Sequence, residues 1–384
     1  MKFSMQANDF ADMVNVCGMA ISARPLRPVN ECVYLQARMD DGIPMLVMIG
    51  KDAGASIKKV TDRAIVEEDG EALIPAKTLL SYLKLMDGEV TLTVDGKNHA
   101  TLKSKGKKVN ISCMDGAEFE PGMTKIDDPS EVTMDGAVFG TLSNSVSHCV
   151  GTDQGRMVLT GINFAFDGAK EKNGAETCGL DGYKMAICRG NVETNGQFTA
   201  LIPGTSAALV RKVIGDSEGV SFRFGNGVMI AEAYDTAIEV SLLAGEFMDY
   251  KKLADRNGTL KMKVNTEALL NAVKTAMISA SEAKKNLVVL KILGDETVQV
   301  SAMNDKSAAV TDVNCLVEGN LSDGKDEIAF NGLYLESCLK AQSLWGDEVI
   351  LACSSSVAPM TMEPENPDDL ESYFQLVLPV RRTN

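Results

Sequence analysis

The sequence predicts an α+β protein built from three similar tandem domains. Two stretches, LIPAKTLLSYLK at 73–84 and LIPGTSAALVRK at 201–212, share their opening and their closing lysine 128 residues apart, and the chain of 384 residues is three such periods long. A fixed period of this kind indicates a repeated architecture. The strand-like runs between them are broken by short DG- and NG-type turns, which join antiparallel strands and cannot form parallel crossovers.

A third copy of this stretch is expected one further period along the chain. Residues 329–340 read AFNGLYLESCLK, and Lys340 closes this segment as Lys84 and Lys212 close the other two. The copy is diverged and carries Glu336 one turn before its lysine. We therefore expect three related helices that do not contribute equally.

A second repeated unit lies about 70 residues upstream of each copy. Its three versions are FSMQANDFADMVNVC (3–17), VTMDGAVFGTLSNSV (132–146) and MKVNTEALLNAVKTA (262–276). Each begins with alternating apolar residues and continues with apolar residues at helical spacing, which predicts a short strand that enters an amphipathic helix. Each third is therefore a doubled β-α-βββ unit.

The segments between the thirds also resemble each other. GAEFEPGMTKIDDPS at 116–130 and GEFMDYKKLADRNG at 245–258 are rich in turn-forming and charged residues, as domain linkers are. The predicted domains are 1–126, 127–255 and 256–384.

The helix predicted in the first copy has one apolar and one basic side. Leu79, Leu83 and Met86 recur at helical spacing, and Lys77 and Lys84 fall roughly 150° away at about 100° per residue. The apolar side is expected to pack on a sheet. A lysine on the polar side of such a helix is usually a solvated residue, so the threefold recurrence is what singles these lysines out.

Composition narrows the class of protein. Hydrophobic residues make up 45% and charged residues 24%, as in ordinary globular proteins. No run of 18 apolar residues occurs and the N-terminus lacks an apolar segment, so we expect neither a membrane span nor a signal peptide, and a cytoplasmic location. The nine cysteines are scattered without a CxxC pair, which favours reduced, buried thiols. The net charge of −15 argues against binding of nucleic acid by the surface as a whole, but net charge does not describe the local charge of any one face.

Several local sequences carry a resemblance to a known family. They are the MKF start, Arg24-Pro25 with Pro28, LDGYKMAIC at 180–188, GEFMDYKKL at 245–253 and FQLVLPVRR at 374–382. In this order the chain resembles the bacterial DNA sliding clamps, the β subunits of the DNA polymerase III holoenzyme. The resemblance implies a head-to-tail homodimeric ring of three clamp domains per subunit, with helices inside, sheets outside and double-stranded DNA held without regard to sequence.

The same resemblance implies which residues face DNA and which form the subunit contact. A ring that is acidic outside can present basic residues inward, where phosphate contact needs them. The expected DNA-facing residues are Arg24, Lys77, Lys84, Arg156, Lys212, Lys274 and Lys340. The expected dimer interface joins Lys108 and Val109 to Met277 and Ile278. The first helices of the first two domains carry almost no positive charge, which predicts weak DNA contact.

The resemblance further implies a hydrophobic pocket that receives short linear motifs of the DNA polymerase, the clamp loader and repair proteins. Its expected residues are Leu159, Leu180, Gly182, Tyr183, Lys184, Met185, Met248, Lys252, Leu253, Val357, Met360, Met362, Leu376, Val377, Leu378, Pro379 and Val380. Tyr183 and Lys184 stand where His and Arg are frequent in the family, and Met248 stands where Pro is frequent. Lysine cannot form the bidentate bonds of arginine, so the preferred peptide is expected to differ. This departure leaves open a clamp relative that acts mainly as a partner-docking hub.

An enzyme is the competing class of protein. His148 and Cys149 are adjacent, but neighbours on a helix point about 100° apart, so we expect no hydrogen bond between them. The only other histidine is His99, and the chain has no nucleotide-binding, HExxH or EF-hand motif. A hydrolase with the repeats as scaffold is therefore disfavoured, and no catalytic residue, cofactor or metal site is expected.

Overall fold

The computed structural model describes residues 1–22, 27–169, 174–254, 258–282, 286–366 and 372–381. The first third of the sequence contains β1 Lys2–Gln6, α1 Ala7–Gly18, β2 Cys32–Asp40, β3 Ile43–Asp52, β4 Ala55–Thr61, β5 Ile65–Glu68, β6 Gly70–Pro75, α2 Ala76–Leu83, β7 Glu89–Val94, β8 His99–Ser104, β9 Lys107–Ser112 and β10 Met114–Asp115. The middle third contains β11 Ser130–Met134, α3 Gly136–Ser147, β12 Gly161–Asp167, β13 Ala175–Leu180, β14 Lys184–Gly190, β15 Glu193–Thr194, β16 Gln197–Pro203, α4 Gly204–Ile214, β17 Val220–Gly225, β18 Val228–Ala233 and β19 Thr236–Ser241. The last third contains β20 Leu260–Asn265, α5 Thr266–Glu282, β21 Leu287–Ile292, β22 Thr297–Met303, β23 Ala308–Gly319, β24 Glu327–Asn331, α6 Gly332–Gln342, β25 Glu348–Cys353, β26 Met360–Pro364 and β27 Tyr373–Val377.

This element order confirms the doubled β-α-βββ unit in each third. The upstream repeats are β1–α1, β11–α3 and β20–α5, and the downstream repeats are β6–α2, β16–α4 and β24–α6. In every case the strand leads directly, or within one residue, into its helix. The diverged third copy is therefore a true copy of the backbone.

Turn chemistry explains the antiparallel pairing of consecutive strands. Asp41 and Gly42 join β2 to β3 with φ of 49° and 83°, and Asn226 and Gly227 join β17 to β18 with φ of 52° and 74°. Two successive positive φ values are the signature of the tight hairpin turns that match the twist of paired strands. The pairs β2–β3 and β17–β18 are antiparallel, as the sequence predicts.

The chain divides into two compact units. One consists of residues 1–137 and 205–242, and the other of 138–204 and 243–384. The first unit holds a five-stranded sheet in the order β5-β1-β7-β8-β9 and a run of strands in the order β10-β6-β2-β3-β4-β19-β18-β17-β11. The second unit holds a sheet in the order β16-β12-β13-β14-β27-β26-β25-β20-β23-β22-β21-β24. The three-domain limits derived from the sequence period stay a prediction.

In the first unit, the apolar sides of α1 and α2 pack on the sheets. Phe10 of α1 is fully buried with its ring centre 5.4 Å from that of Phe3 on β1. On α2, Leu79 and Leu83 are buried, as is Met86 beyond its end, while Lys77 and Lys84 are exposed. Burial of each such side chain contributes about 1.5–3 kcal/mol. The predicted apolar and basic sides of this helix are confirmed.

In the second unit, the apolar sides of α5 and α6 pack against the strands around them and form a core. It includes Leu269, Val273, Leu335, Cys338 and Phe330, all fully buried. All nine cysteines are buried and free, as the sequence predicts. In the part of the chain that the structure describes, no helix is long and apolar enough to cross a membrane.

Candidate functional site

The strands that carry most of the predicted pocket residues are neighbours in the second unit. β14 pairs with β27, with Lys184 opposite Val377 and Met185 opposite Leu376. β26 pairs with the other side of β27, with Met360 opposite Val377. This pairing brings residues of the middle and last thirds of the sequence into one sheet.

The hairpin between β13 and β14 fixes the edge of this region. Gly182 has φ of 93°, a conformation that favours glycine. The Asp181 carboxylate accepts backbone hydrogen bonds from Tyr183 at 2.8 Å and Lys184 at 2.9 Å. After the hairpin, the amide of Leu378 donates to the carbonyl of Tyr183 at 2.9 Å. The chain after β27 therefore lies beside the hairpin.

Tyr183 and Tyr334 form the aromatic part of the region. Tyr183 is 53% exposed, and its ring is stacked on that of Tyr334 with centres 5.4 Å apart. The Lys184 ammonium lies 5.7 Å from the centre of the Tyr334 ring. The four exposed residues Tyr183, Val357, Leu378 and Val380, with the partly buried Tyr334, are called the partner-binding surface, after the role that the sequence resemblance predicts for this region.

The predicted pocket residues divide into a buried floor and exposed side chains. Those that belong to the apolar cores beneath the surface are Leu180, Met185, Met360, Met362, Leu376 and Val377. Those with large exposed area are Tyr183, Met248, Lys252, Leu253, Val357, Leu378 and Val380. Leu159 and Pro379 are partly buried.

The segment after β19 is attached to the same core. Leu159 and Phe247 pack against the cluster of Leu180, Met185 and Leu376. The Tyr250 hydroxyl donates to the Glu176 carboxylate at 2.5 Å. Lys252 instead pairs with Asp249 at 2.9 Å on the exposed side.

Lys184 does not lie on the surface as a free charge. It is 7% exposed, pairs with Asp181 at 3.2 Å and donates to the carbonyl of His148. A buried ammonium requires such partners, because an unpaired charge in the interior is very costly. Its role is therefore to position the hairpin and Tyr334.

Glu176 is largely buried, and its neighbours keep the carboxyl group ionised. Burial acts to raise the pKa of this carboxyl group, but the hydrogen bond from Tyr250 and the charge of Arg189, 2.7 Å away, outweigh it and lower the pKa. The carboxylate thus joins strand β13 to Tyr250, 74 residues later.

The expectation that His148 and Cys149 do not contact each other was wrong. Helix α3 ends at Ser147, so the pair lies in the following loop, and Cys149 Sγ is 3.2 Å from His148 Nε2. Cys338 of α6 joins them, and the donor atoms of the three residues all lie within 4.8 Å of one another. Cysteines that are scattered in the sequence can still meet in the fold, and a contact across 189 residues, such as Cys149 with Cys338, cannot be predicted from spacing.

The two thiols of this cluster are electrostatically unequal. The hydrogen bond from Cys149 lowers the pKa of the Cys338 thiol below its usual range. Burial raises the pKa of Cys149 above its usual range. His148 Nε2 is also 2.8 Å from Gln375 Oε1 on β27.

The basic residues predicted to face DNA are exposed and lie on or next to helices. They are Lys77 and Lys84 at α2, Lys212 on α4, Lys274 on α5 and Lys340 on α6, with Arg156 in a short 3₁₀ segment, Gln154–Thr160. Arg24 lies outside the described residues. Lys340 pairs with Glu336 at 2.6 Å and Arg156 with Asp153 at 3.3 Å. α1 carries Asp9 and Asp12 and no basic residue.

The residues predicted at the dimer interface lie at one sheet edge and on α5. Lys108 and Val109 belong to β9, the edge strand of the five-stranded sheet. On α5, Ile278 is exposed, whereas Met277 is buried in the core and contributes little surface.

Sequence reasoning missed Tyr334, Gln375 and the thiol cluster. Tyr334 lies in the repeated stretch 329–340, whose sequence predicts roles only for Lys340 and Glu336. A large aromatic at the exposed start of a helix was the available signal. For Gln375 no local signal existed, because its partners come from other elements.

Comparisons with known proteins cover the whole chain. Family models of the N-terminal and central domains of the DNA polymerase III beta subunit match residues 1–124 and 133–249. The beta sliding clamp of Staphylococcus epidermidis is 24% identical over 392 residues, covering 99% of both chains. That of Staphylococcus aureus is 22% identical over 394 residues with the same coverage.

Solved structures share the fold. The DNA polymerase sliding clamp from Bacillus subtilis matches with a TM-score of 0.90 at 21% identity over 100% of both chains. A DnaN sliding clamp from Pseudomonas aeruginosa bound to griselimycin matches with a TM-score of 0.85 at 20% identity, again over 100% of both chains. These likenesses confirm the predicted clamp fold.

Proposed function

The chain belongs to the DNA polymerase III beta subunit family, and we propose that it is a sliding clamp: a ring that encircles duplex DNA and tethers a polymerase to it. The observation that carries the proposal is the β-α-βββ unit repeated six times along the chain, over the whole length shared with the clamp relatives. In this role the protein is a non-catalytic accessory subunit in the cytoplasm. The docking-hub alternative is not favoured, because relatives that span the whole chain are named as clamps.

Two strand pairs, one inside each unit, support the proposed ring closure. β4 pairs with β19 in the first unit, and β14 pairs with β27 in the second. In each pair, the third strand after the first helix of one third pairs with the last long strand of another third. The strands at these two positions that have no such partner are β23, the third strand after α5, and β9, the last long strand of the first third.

Both remaining strands offer a free edge among the described residues. β9 pairs only with β8. β23 pairs with β22 over its first half and with β20 only from Cys315 onward, so one side of 308–313 has no strand partner. Edge strands are ready to pair with another chain. We propose that β9 of one copy pairs with β23 of a second copy, which closes a head-to-tail ring of two.

Exposed apolar residues beside that edge support this interface. Val310 on β23 and Ile278 on α5 are both more than half exposed. A closed heterologous contact buries such residues and leaves no free edge.

The native mass tests ring closure. We expect twice the chain mass of 41.1 kDa at micromolar concentration. Val310→Asp should give a monomer, because it places a charge in the proposed interface. Leu316→Asp is the matched control, since Leu316 is equally exposed on the same strand but lies where β20 pairs with it. A monomeric wild type, or loss of the dimer in both variants, would contradict the proposed closure.

DNA contact in this proposal comes from the exposed lysines at the helices. Contact with phosphates needs positive charge but no base recognition, so binding is sequence-independent and weakens with salt. The acidic α1 limits the total charge toward DNA. Weak contact suits a ring that slides and is held by topology.

Partner binding is assigned to the partner-binding surface. Exposed apolar and aromatic side chains above an apolar floor are the usual anchors for a short peptide. We propose that linear motifs of the polymerase, the clamp loader and repair proteins bind there, with Tyr183 and Tyr334 at its centre.

A further inference from the structure

We propose that His148, Cys149 and Cys338 form a buried site for a thiophilic divalent cation, with zinc as the best fit. The site lies behind the partner-binding surface in the second unit. It is independent of the clamp function, because it depends only on three donor atoms that the fold brings together.

The donor spacing suits a tetrahedral ion. Zinc bonds of about 2.3 Å to sulfur and about 2.0–2.1 Å to nitrogen place neighbouring ligand atoms roughly 3.5–3.8 Å apart. Cys149 Sγ and His148 Nε2 are 3.2 Å apart, and all three donor atoms lie within 4.8 Å of one another. Small side-chain rotations are enough to close this cluster around one ion.

The donor chemistry selects the class of metal. Two sulfurs and one imidazole nitrogen are the ligands that zinc, cobalt(II) and similar ions prefer over calcium or magnesium, which take oxygen ligands. On binding, the ion forms two bonds to sulfur and one to nitrogen, and the two thiol protons leave to solvent. The ring proton that His148 Nε2 shares with Gln375 Oε1 moves to Nδ1, which has no hydrogen-bond partner among the described residues, so the imidazole stays neutral. Two thiolates and one divalent cation are together neutral, which suits a site where both thiols are buried.

The surrounding residues already orient the ligands. The Gln375 side-chain amide donates to the Cys338 carbonyl at 3.1 Å and to Gln342 Oε1 at 3.0 Å, so its oxygen accepts the hydrogen bond of His148 Nε2. A bound ion replaces this hydrogen bond at Nε2. Lys184 holds the carbonyl of His148. The amide oxygen of Gln375 or a water is the available fourth ligand. Such supporting contacts are what hold metal ligands in place.

The position of the cluster indicates how an ion would reach it and which parts of the sequence the ion would join. His148 is half-buried, while both thiols are fully buried, so the histidine is the ligand residue nearest to solvent. The ligands come from the loop after α3 and from α6, and Lys184 and Gln375 belong to the paired strands β14 and β27. A bound ion therefore links the middle and last thirds of the sequence beneath Tyr183 and Tyr334.

The test is metal binding by the full-length protein after chelator treatment and dialysis. With Co²⁺ as probe, we expect one equivalent per chain with thiolate-to-cobalt charge-transfer absorption, and with Zn²⁺ we expect displacement of that signal and a higher Tm that EDTA reverses. Cys338→Ser and His148→Gln should each weaken binding by about tenfold or more. Cys188→Ser is the matched control, because Cys188 is a buried thiol of the same unit outside the cluster.

The results that support the metal site differ from those that overturn it. Loss of the cobalt signal in the two ligand variants but not in Cys188→Ser supports the site. Absence of stoichiometric binding to the wild type at micromolar Co²⁺ and Zn²⁺ overturns it, and this arm needs no variant. Equal binding by wild type and Cys338→Ser, or a Cys149–Cys338 disulfide in the freshly reduced and purified protein, also overturns it.

Discussion

Two strand pairs join different thirds of the sequence, and their surroundings differ. The first junction is β4 with β19, and the second junction is β14 with β27; both are antiparallel. Around the first junction lies a cleft of about 490 Å³ with charged walls, including Asp9, Asp12 and Arg63. Around the second lie the stacked tyrosines and the thiol cluster. The backbone pairing is the same at both junctions, so any difference in partner binding between them must come from their side chains.

The two junctions also differ in how they hold their polar groups. At the first, Lys59 pairs with Asp235 at 2.9 Å, and the neighbouring Tyr234 is fully exposed. At the second, Tyr373 is fully buried, stacked on Trp345 at 4.8 Å, and donates to the Ser145 carbonyl at 2.8 Å. The second junction is therefore expected to be far more sensitive to substitution.

The largest expected effect is that of Tyr373→Ala. Removing a fully buried ring together with its hydrogen bond should lower the free energy of unfolding by about 3–5 kcal/mol. Trp345 is the chain's single tryptophan and contacts this ring, so its fluorescence during urea unfolding reports locally. Tyr234→Ala at the first junction should change stability by less than about 0.5 kcal/mol. Similar losses in both variants would remove the distinction between the junctions.

The next effect concerns one carboxylate near each junction. Tyr250→Phe removes the hydrogen bond to Glu176, whose side chain is 10% exposed, and should cost about 1.5–3 kcal/mol at neutral pH. The contribution of Glu176 has a definite pH dependence. Because its folded-state pKa is lowered, the stabilisation is complete above its ordinary value of 4.5 and is lost as pH falls through the folded-state pKa.

The same measurement compares Glu176 with Asp235. Burial opposes the lowered pKa of Asp235, but hydrogen bonds from Thr236 and Lys59 outweigh it, so its stabilisation is lost below its ordinary value of 3.8. Asp235 is 37% exposed, so its contribution should be smaller. In Tm measured against pH, Glu176→Gln should flatten the acid loss more than Asp235→Asn. The reverse order would contradict the assignment of the stronger network to the second unit.

Partner binding should respond at the second junction alone. Tyr183→Ala should weaken a labelled polymerase-derived peptide by about tenfold to thirtyfold, roughly 1.4–2 kcal/mol, because it removes an exposed aromatic anchor. Tyr234→Ala supplies the matched exposed tyrosine of the first junction and should bind normally in fluorescence polarisation. A peptide that still binds the Tyr183 variant with wild-type affinity would exclude the partner-binding surface.

The smallest effect is expected at the repeated helices, where the copies again share a backbone but differ in side chains. Lys84 and Lys212 have no ion pair in the described structure, while Lys340 is paired with Glu336. Lys84→Glu with Lys212→Glu should lower DNA affinity and reduce its dependence on salt, by roughly 0.9 in the logarithmic slope for each lost contact. Lys340→Glu should do less. Dimer mass serves as the folding control, and an equal effect of Lys340→Glu would show that its pair with Glu336 is irrelevant.

The fold could be predicted from sequence because its signals are local and repeated. The stretch 73–84 shows its buried side through Leu79 and Leu83, and its recurrence marks α4 and α6. Hairpins such as Asp41-Gly42 fix antiparallel pairing through turn chemistry. The site could be predicted only in part, by resemblance.

What could not be predicted depends on contacts between distant elements. The end of α3 at Ser147 frees His148 and Cys149 to meet Cys338, and spacing along the sequence does not contain that information. Lys184 was expected in the pocket, and the structure shows that its charge is buried and paired. Burial of a long polar side chain is decided by its neighbours in space, here Asp181 and Tyr334.

Retention on closed DNA tests the central claim most directly. The protein is loaded onto nicked circular duplex DNA by the clamp loader of its host, separated from free protein at high salt, and the DNA is then either left closed or cut once. A ring held by topology should stay on the circle and leave after the cut, since salt removes only the phosphate contacts. Equal dissociation from circular and linear DNA would contradict the account.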